Sequence, residues 1–95
     1  MIPDLSIATL LNAYRTKTAT PEQVIFDAWQ RAATDDPAIW ISRPNELQLR
    51  SYLSALEGHT PDTLPLFGIP FAIKDNIDCV GYPTTAACPA WSYEP

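Results

Sequence analysis

Basic residues are scarce in this sequence and never clustered: six Lys and Arg stand against eleven Asp and Glu, a formal net charge of −5. Nucleic acids and anionic membrane surfaces are both held by a basic footprint, so neither is expected as a partner. Long apolar runs are also missing. The longest, Leu64 to Ile73, is broken by Pro65, Gly68 and Pro70 and is too short to span a bilayer. Near the start, Asp4 stands where a secretory leader wants positive charge, and no long apolar segment follows. Together with the two cysteines, Cys79 and Cys88, this gives the expectation of a reducing, cytoplasmic setting with free thiols.

Further absences narrow the chemistry. The cysteines lack zinc-ligand spacing and the single histidine, His59, falls in a polar stretch, which argues against both a structural zinc site and a Cys–His nucleophile. The three glycines form no phosphate-cradling motif. Asp75, Asn76 and Asp78 lack the spacing, central glycine and closing glutamate of a calcium loop and are read as turn formers. No metal or organic cofactor is expected, and no repeat or low-complexity tract is present. What remains are small molecules and proteins as partners.

The 95 residues amount to about one small domain. A chain of this size leaves roughly a third of its unfolded surface exposed, so stability is expected to be marginal. Three helical stripes are legible. Ile7, Leu10, Leu11 and Tyr14 recur at helical spacing behind Asp4 or Ser6 as N-cap, predicting a helix over about 6–17. Thr20, Pro21 and Gln23 form a start signal with a capping box, and Ile25, Ala28, Trp29 and Ala32 continue the stripe to about 34, where Asp35, Asp36 and Pro37 stop it. Ile39, Trp40 and Ile41 make a short strand or extended link. Pro44 is placed in the first turn of a third helix over about 44–57, carrying Leu49, Tyr52, Leu53 and Leu56, with Gly58 closing it. Trp29, Trp40 and Trp91 are read as packing residues.

The stretch from Leu64 to Thr85 is the centre of interest. A strand is predicted over about 69–74, its apolar residues delivering Lys74 where polar residues take over; after Arg50 no other Lys or Arg occurs. An ammonium cannot accept a proton, so a lysine acting as a base needs burial or neighbouring positive charge to favour its neutral form. A carboxylate next in the chain, Asp75, favours the charged form where it reaches the amine. On an extended strand, however, consecutive side chains point to opposite faces, which leaves Asp75 to hold the turn through backbone N–H groups. Residues 75–95 show no period and are expected to be irregular. Their aromatic close, Trp91 and Tyr93, gives the expectation that the chain stops inside a larger domain.

The string GIPFAIKDN, Gly68 to Asn76, resembles the start of the amidase-signature core, and PTTAACPAW, Pro83 to Trp91, is most similar to the allophanate hydrolase branch of that family. The resemblance implies an α/β domain, helices outside a mixed sheet, of which this chain is an N-terminal portion. It implies Lys74 as the lysine of a Ser-(cis-Ser)-Lys triad, in which the neutral amine takes a proton from the cis-serine, the nucleophilic serine attacks an amide, and backbone N–H groups hold the oxyanion. Both serines lie in a Gly/Ser-rich segment that is absent here. Ser6, Ser42, Ser51, Ser54 and Ser92 are scattered singly and none reads as a nucleophile, so the chain is expected to be inactive alone. Thr84 and Thr85 resemble positions near the family's active site, but are read as turn hydroxyls bonded to local backbone.

What the family implies further is hydrolysis of allophanate to ammonia and carbon dioxide, a homodimer, and association with urea carboxylase. The alternatives are another member, either a transamidating subunit of the tRNA-dependent amidotransferases or a generic amidase. A different class also stands: a non-catalytic remnant or interaction fragment.

Overall fold

The computed structural model describes residues 4–36 and 38–95. Its elements run α1 (Ile7–Arg15), α2 (Pro21–Thr34), α3 (Glu46–Ser54) and a single 3₁₀ turn, Pro89–Trp91. The chain packs as two compact units. The first holds the described residues through Thr34 together with Pro44–Pro70; the second holds Asp35–Arg43 and Phe71–Pro95.

In the first unit local signals start and stop each helix. Ser6 caps α1, its hydroxyl oxygen accepting the Thr9 N–H at 3.4 Å. The helix ends in a Schellman arrangement: Lys17 takes a left-handed φ of 59°, the Thr18 N–H reaches the Ala13 carbonyl at 2.9 Å, and the Lys17 N–H reaches that of Tyr14 at 3.3 Å. The capping box of α2 forms as expected. The Gln23 N–H donates to Thr20 Oγ1 at 3.2 Å and the Thr20 N–H donates to Gln23 Oε1 at 3.1 Å. Pro37, expected to help end α2, lies outside the described residues.

The third helix departs from expectation at both ends. Pro44 precedes it, and its carbonyl accepts the Trp29 indole N–H at 2.8 Å. The cap is Asn45 with Gln48 as reciprocal partner, at 2.8 and 2.9 Å, so the helix begins at Glu46. It stops at Ser54 because the chain tightens into i→i+3 turns, Leu56 to Leu53 and Glu57 to Ser54, before Gly58 turns left-handed.

Leu10, Ala13, Tyr14, Ala19, Val24 and Phe67 form the buried core, with Leu11, Leu56, Leu64 and Ile69 packed against it. Fully burying Leu10 and Val24 stabilises the unit by about 1.5–3 kcal/mol each. Gly68 lets the chain approach α1. Its φ is +66°, and a Cβ there would stand 2.9 Å from Tyr14 Cε2. The Tyr14 hydroxyl donates to the Gly68 carbonyl at 2.7 Å, while its ring meets Phe67 edge-on at 5.8 Å. Burial pushes the Tyr14 phenol up to about 12.

Among the described residues there is no strand, and this corrects the prediction for 69–74. A strand exists only as half of a ladder. The main-chain groups of Phe71, Ala72 and Ile73 find no main-chain partner among the described residues, so the segment stays irregular despite its apolar composition. Residues 38–42 are no strand either: the Asp36 carboxylate and carbonyl accept the Ala38 and Ile39 N–H groups, both at 2.9 Å, and make a turn. Within 75–95 the regular elements are the 3₁₀ turn and one antiparallel bridge, Thr84 to Tyr93.

Candidate functional site

Lys74 opens a turn in the second unit, its carbonyl accepting the Ile77 N–H at 3.0 Å. Its side chain is exposed and makes no ion pair among the described residues. The buried, strand-end setting expected for it is therefore absent among the described residues. A strand is covered on both faces only where a second layer packs over it, and these residues supply none.

Asp75 behaves as its placement after the lysine suggested, but over a longer reach. Its Oδ2 accepts both the N–H of Thr85, at 3.1 Å, and the Thr85 hydroxyl. Its backbone carbonyl accepts the Ala86 N–H at 3.1 Å. Three residues on, Asp78 Oδ1 accepts the Thr84 hydroxyl at 2.9 Å and the Tyr93 hydroxyl at 2.5 Å. Adjacent threonines are thus clasped by aspartates from the lysine turn. Thr84 and Thr85 are the buried polar side chains of the described residues. The reading of them as turn hydroxyls holds in part, since Thr85 Oγ1 also accepts the Ala87 N–H at 3.2 Å. Sequence reasoning misses the carboxylate bonds because a ten-residue spacing carries no periodic signal. The hydrogen bond to the Asp78 carboxylate, with some burial, holds the Tyr93 phenol above its usual range.

The clasp supports a strained turn. Ala86 and Ala87 have φ of 50° and 62°, a conformation that costs an L-residue about 1–2 kcal/mol each. Their N–H groups are both bonded, and the Cys88 N–H closes on the Thr85 carbonyl at 2.8 Å, so the geometry is held from several sides. Trp91 and Tyr93 pack edge-on at 5.3 Å behind it.

Elsewhere the described residues offer little chemistry. No serine sits on a left-handed turn of the kind that strains a nucleophile: Ser6 caps α1, Ser51 and Ser54 lie exposed on α3, and Ser92 follows the 3₁₀ turn. No three His, Cys, Asp or Glu side chains gather as metal ligands among the described residues. Both cysteines are free. A groove of about 460 Å³ in the first unit is lined by Thr20, Gln23, Phe26 and Arg50 among others. The Arg50 guanidinium is already engaged, 3.7 Å from Glu46 and 5.0 Å over the Phe26 ring. No described helix is long and apolar enough to cross a membrane.

Comparison with known proteins places a family model, Amidase, over residues 23–95. The chain is 51% identical over 67 residues to the urea amidolyase of Lachancea kluyveri, and 48% identical over 67 residues to that of Saccharomyces cerevisiae. Each match takes in 70% of this chain and 4% of the relative. Over 86 residues it is 33% identical to a glutamyl-tRNA(Gln) amidotransferase subunit of Staphylococcus saprophyticus, covering 86% of this chain and 18% of that protein. The chain therefore spans a small part of the curated relatives it matches.

Proposed function

The chain belongs to the amidase family, and from that premise we propose that it supplies the lysine-bearing part of an amide-hydrolysing site of the allophanate hydrolase type. The single observation that carries this reading is the placement of Lys74: an isolated lysine opening a turn whose next residues are clasped onto a strained loop. The likeness to the urea amidolyases supports a substrate with a urea-derived amide, and allophanate, N-carboxyurea, has that chemistry. In this reading Lys74, as the neutral amine, relays a proton from a cis-serine to activate a nucleophilic serine. The serines present take no part, and the chain by itself does not hydrolyse amides.

The finer architecture belongs to the same proposal. The unpaired backbone of Phe71 to Ile73 and the exposed side chain of Phe71 suit a strand of a mixed α/β sheet once a neighbour pairs with it. A covering layer would then dry the Lys74 amine. A homodimer, association with urea carboxylase and a cytoplasmic location complete the reading.

A chimaera tests it. Residues 23–95 of this chain replace the corresponding stretch of the Lachancea kluyveri urea amidolyase, and ammonia release from allophanate is measured. Activity is expected, with Lys74→Ala lowering it by roughly 10²–10⁴-fold, the usual share of a general base. Retained activity in Lys74→Ala sinks the assignment. The amidotransferase likeness covers more of this chain and favours a second reading, a component of a glutamine-using amidotransferase. Ammonia from glutamine, and none from allophanate, would select it.

A further inference from the structure

Lys74 is followed directly by a carboxylate, and a base cannot work well beside an ion-pairing partner. The structure shows where that carboxylate goes. Both donors that reach it, the N–H and the hydroxyl of Thr85, fall on Asp75 Oδ2, while the Asp75 carbonyl is taken by the Ala86 N–H. Thr85 is buried, and its own carbonyl and hydroxyl oxygen accept the N–H groups of Cys88 and Ala87. Thr84 is held in the same way by Asp78, which Tyr93 also grips. Thr85 is therefore bonded within its own turn as well as to Asp75.

We propose that Thr85 is a positioning residue for Lys74: by engaging the Asp75 carboxylate it keeps the adjacent acid from pairing with the lysine amine. This rests on the reading of Lys74 as the base, and adds a reason for a buried threonine eleven residues downstream. Asp75 here is structural and Lys74 is left without a counter-ion, which is the arrangement seen: Lys74 makes no ion pair among the described residues. A threonine suits the task because it offers a main-chain and a side-chain donor to one oxygen.

The test reads amine reactivity and needs no turnover, so it can fail while the amidase reading stands, and the reverse. The purified 95-residue chain is acylated with a limiting amine-reactive ester, and the rates at Lys74 and at Lys17, the other lysine, are compared by mass spectrometry. Thr85→Val removes the hydroxyl donor and leaves only the main-chain N–H on the carboxylate, and the Lys74-to-Lys17 ratio should fall by up to about two- to fivefold, the effect of one exposed ion pair. Thr85→Ser, which keeps both donors, should leave the ratio unchanged. In Thr85→Val combined with Asp75→Asn the ratio should return to the wild-type value, although the loop contacts are still lost. That double variant separates positioning from simple loosening of the loop. An unchanged ratio in Thr85→Val, or a ratio that stays low in the double variant, overturns the proposal.

Discussion

The two units are built on opposite principles. In the first, every buried side chain of the core is apolar or, in Tyr14, an aromatic ring with one satisfied hydroxyl. In the second, the buried side chains among the described residues are two threonines, while Phe71 is 81% and Val80 85% exposed. Apolar burial is non-directional and tolerates rearrangement. A clasp of charge-assisted hydrogen bonds is directional and fixes a few atoms closely. The first unit is therefore a stabilising element and the second a positioning one, and it is the second that carries Lys74.

The strongest way to break this contrast is at Gly68. Gly68→Ala forces an L-residue into a left-handed φ and sets a methyl 2.9 Å from Tyr14 Cε2 and 3.0 Å from Pro21. Left-handed strain and overpacking together should destabilise the first unit by about 2–4 kcal/mol in urea-induced unfolding. Amide exchange should report the loss in α1 and α2, leaving the Thr84 and Tyr93 amides protected. Equal loss in both units would mean that they fold as one.

Much of the first unit is legible in the sequence because its signals are local. Caps at Ser6 and Thr20 and stripes at helical spacing are read within one or two turns, and the three helices follow. Val24, the buried residue of the second helix, escapes a stripe traced through Ile25, because neighbouring positions on a helix point about 100° apart. The role of Gly68 is not legible, since the atom that excludes a side chain belongs to Tyr14, 54 residues earlier. The strand at 69–74 fails for a related reason: apolar composition states a capacity to pair, and pairing depends on a neighbour elsewhere. Lys74 is visible as a lone cation, but Asp75 and Thr85 meet across an interval that no periodicity marks.

Thr84→Val asks the same question of the second unit. The substitution keeps the shape and deletes the donor to Asp78 at 2.9 Å, costing about 1.5–3 kcal/mol for a hydrogen bond to a charged group. Exchange at Thr84 and Tyr93, whose backbones bond reciprocally at 2.8 and 3.0 Å, should quicken while α1 stays protected. Unchanged exchange there would show that the bridge, and not the carboxylate, holds the loop.

Alkaline pH sharpens the contrast from the other side. Burial raises the Tyr14 phenol from 10.0 to about 12, so the neutral phenol is the form the fold favours. Its contribution is fully present below about pH 10 and is lost as pH rises through about 12. Tyrosinate absorbance and the loss of helical circular dichroism should therefore rise together in that window. Tyr14→Phe, which costs about 1 kcal/mol at neutral pH by leaving the Gly68 carbonyl unpaired, should remove this alkaline component.

The smallest effect is expected where an apolar side chain lies outside any core. Val80→Lys at an 85% exposed position should change the midpoint of urea unfolding by less than about 0.5 kcal/mol equivalent, because nothing packs against the valine that is lost. The same change should reduce self-association in light scattering, since it puts a charge in place of one of the exposed apolar side chains of the second unit, which also include Phe71, Ile73 and Ile77. A clear loss of stability would mean that the second unit owes its form to apolar packing after all, and the division between a stabilising and a positioning unit would fall. A null effect on stability with improved solubility keeps the division.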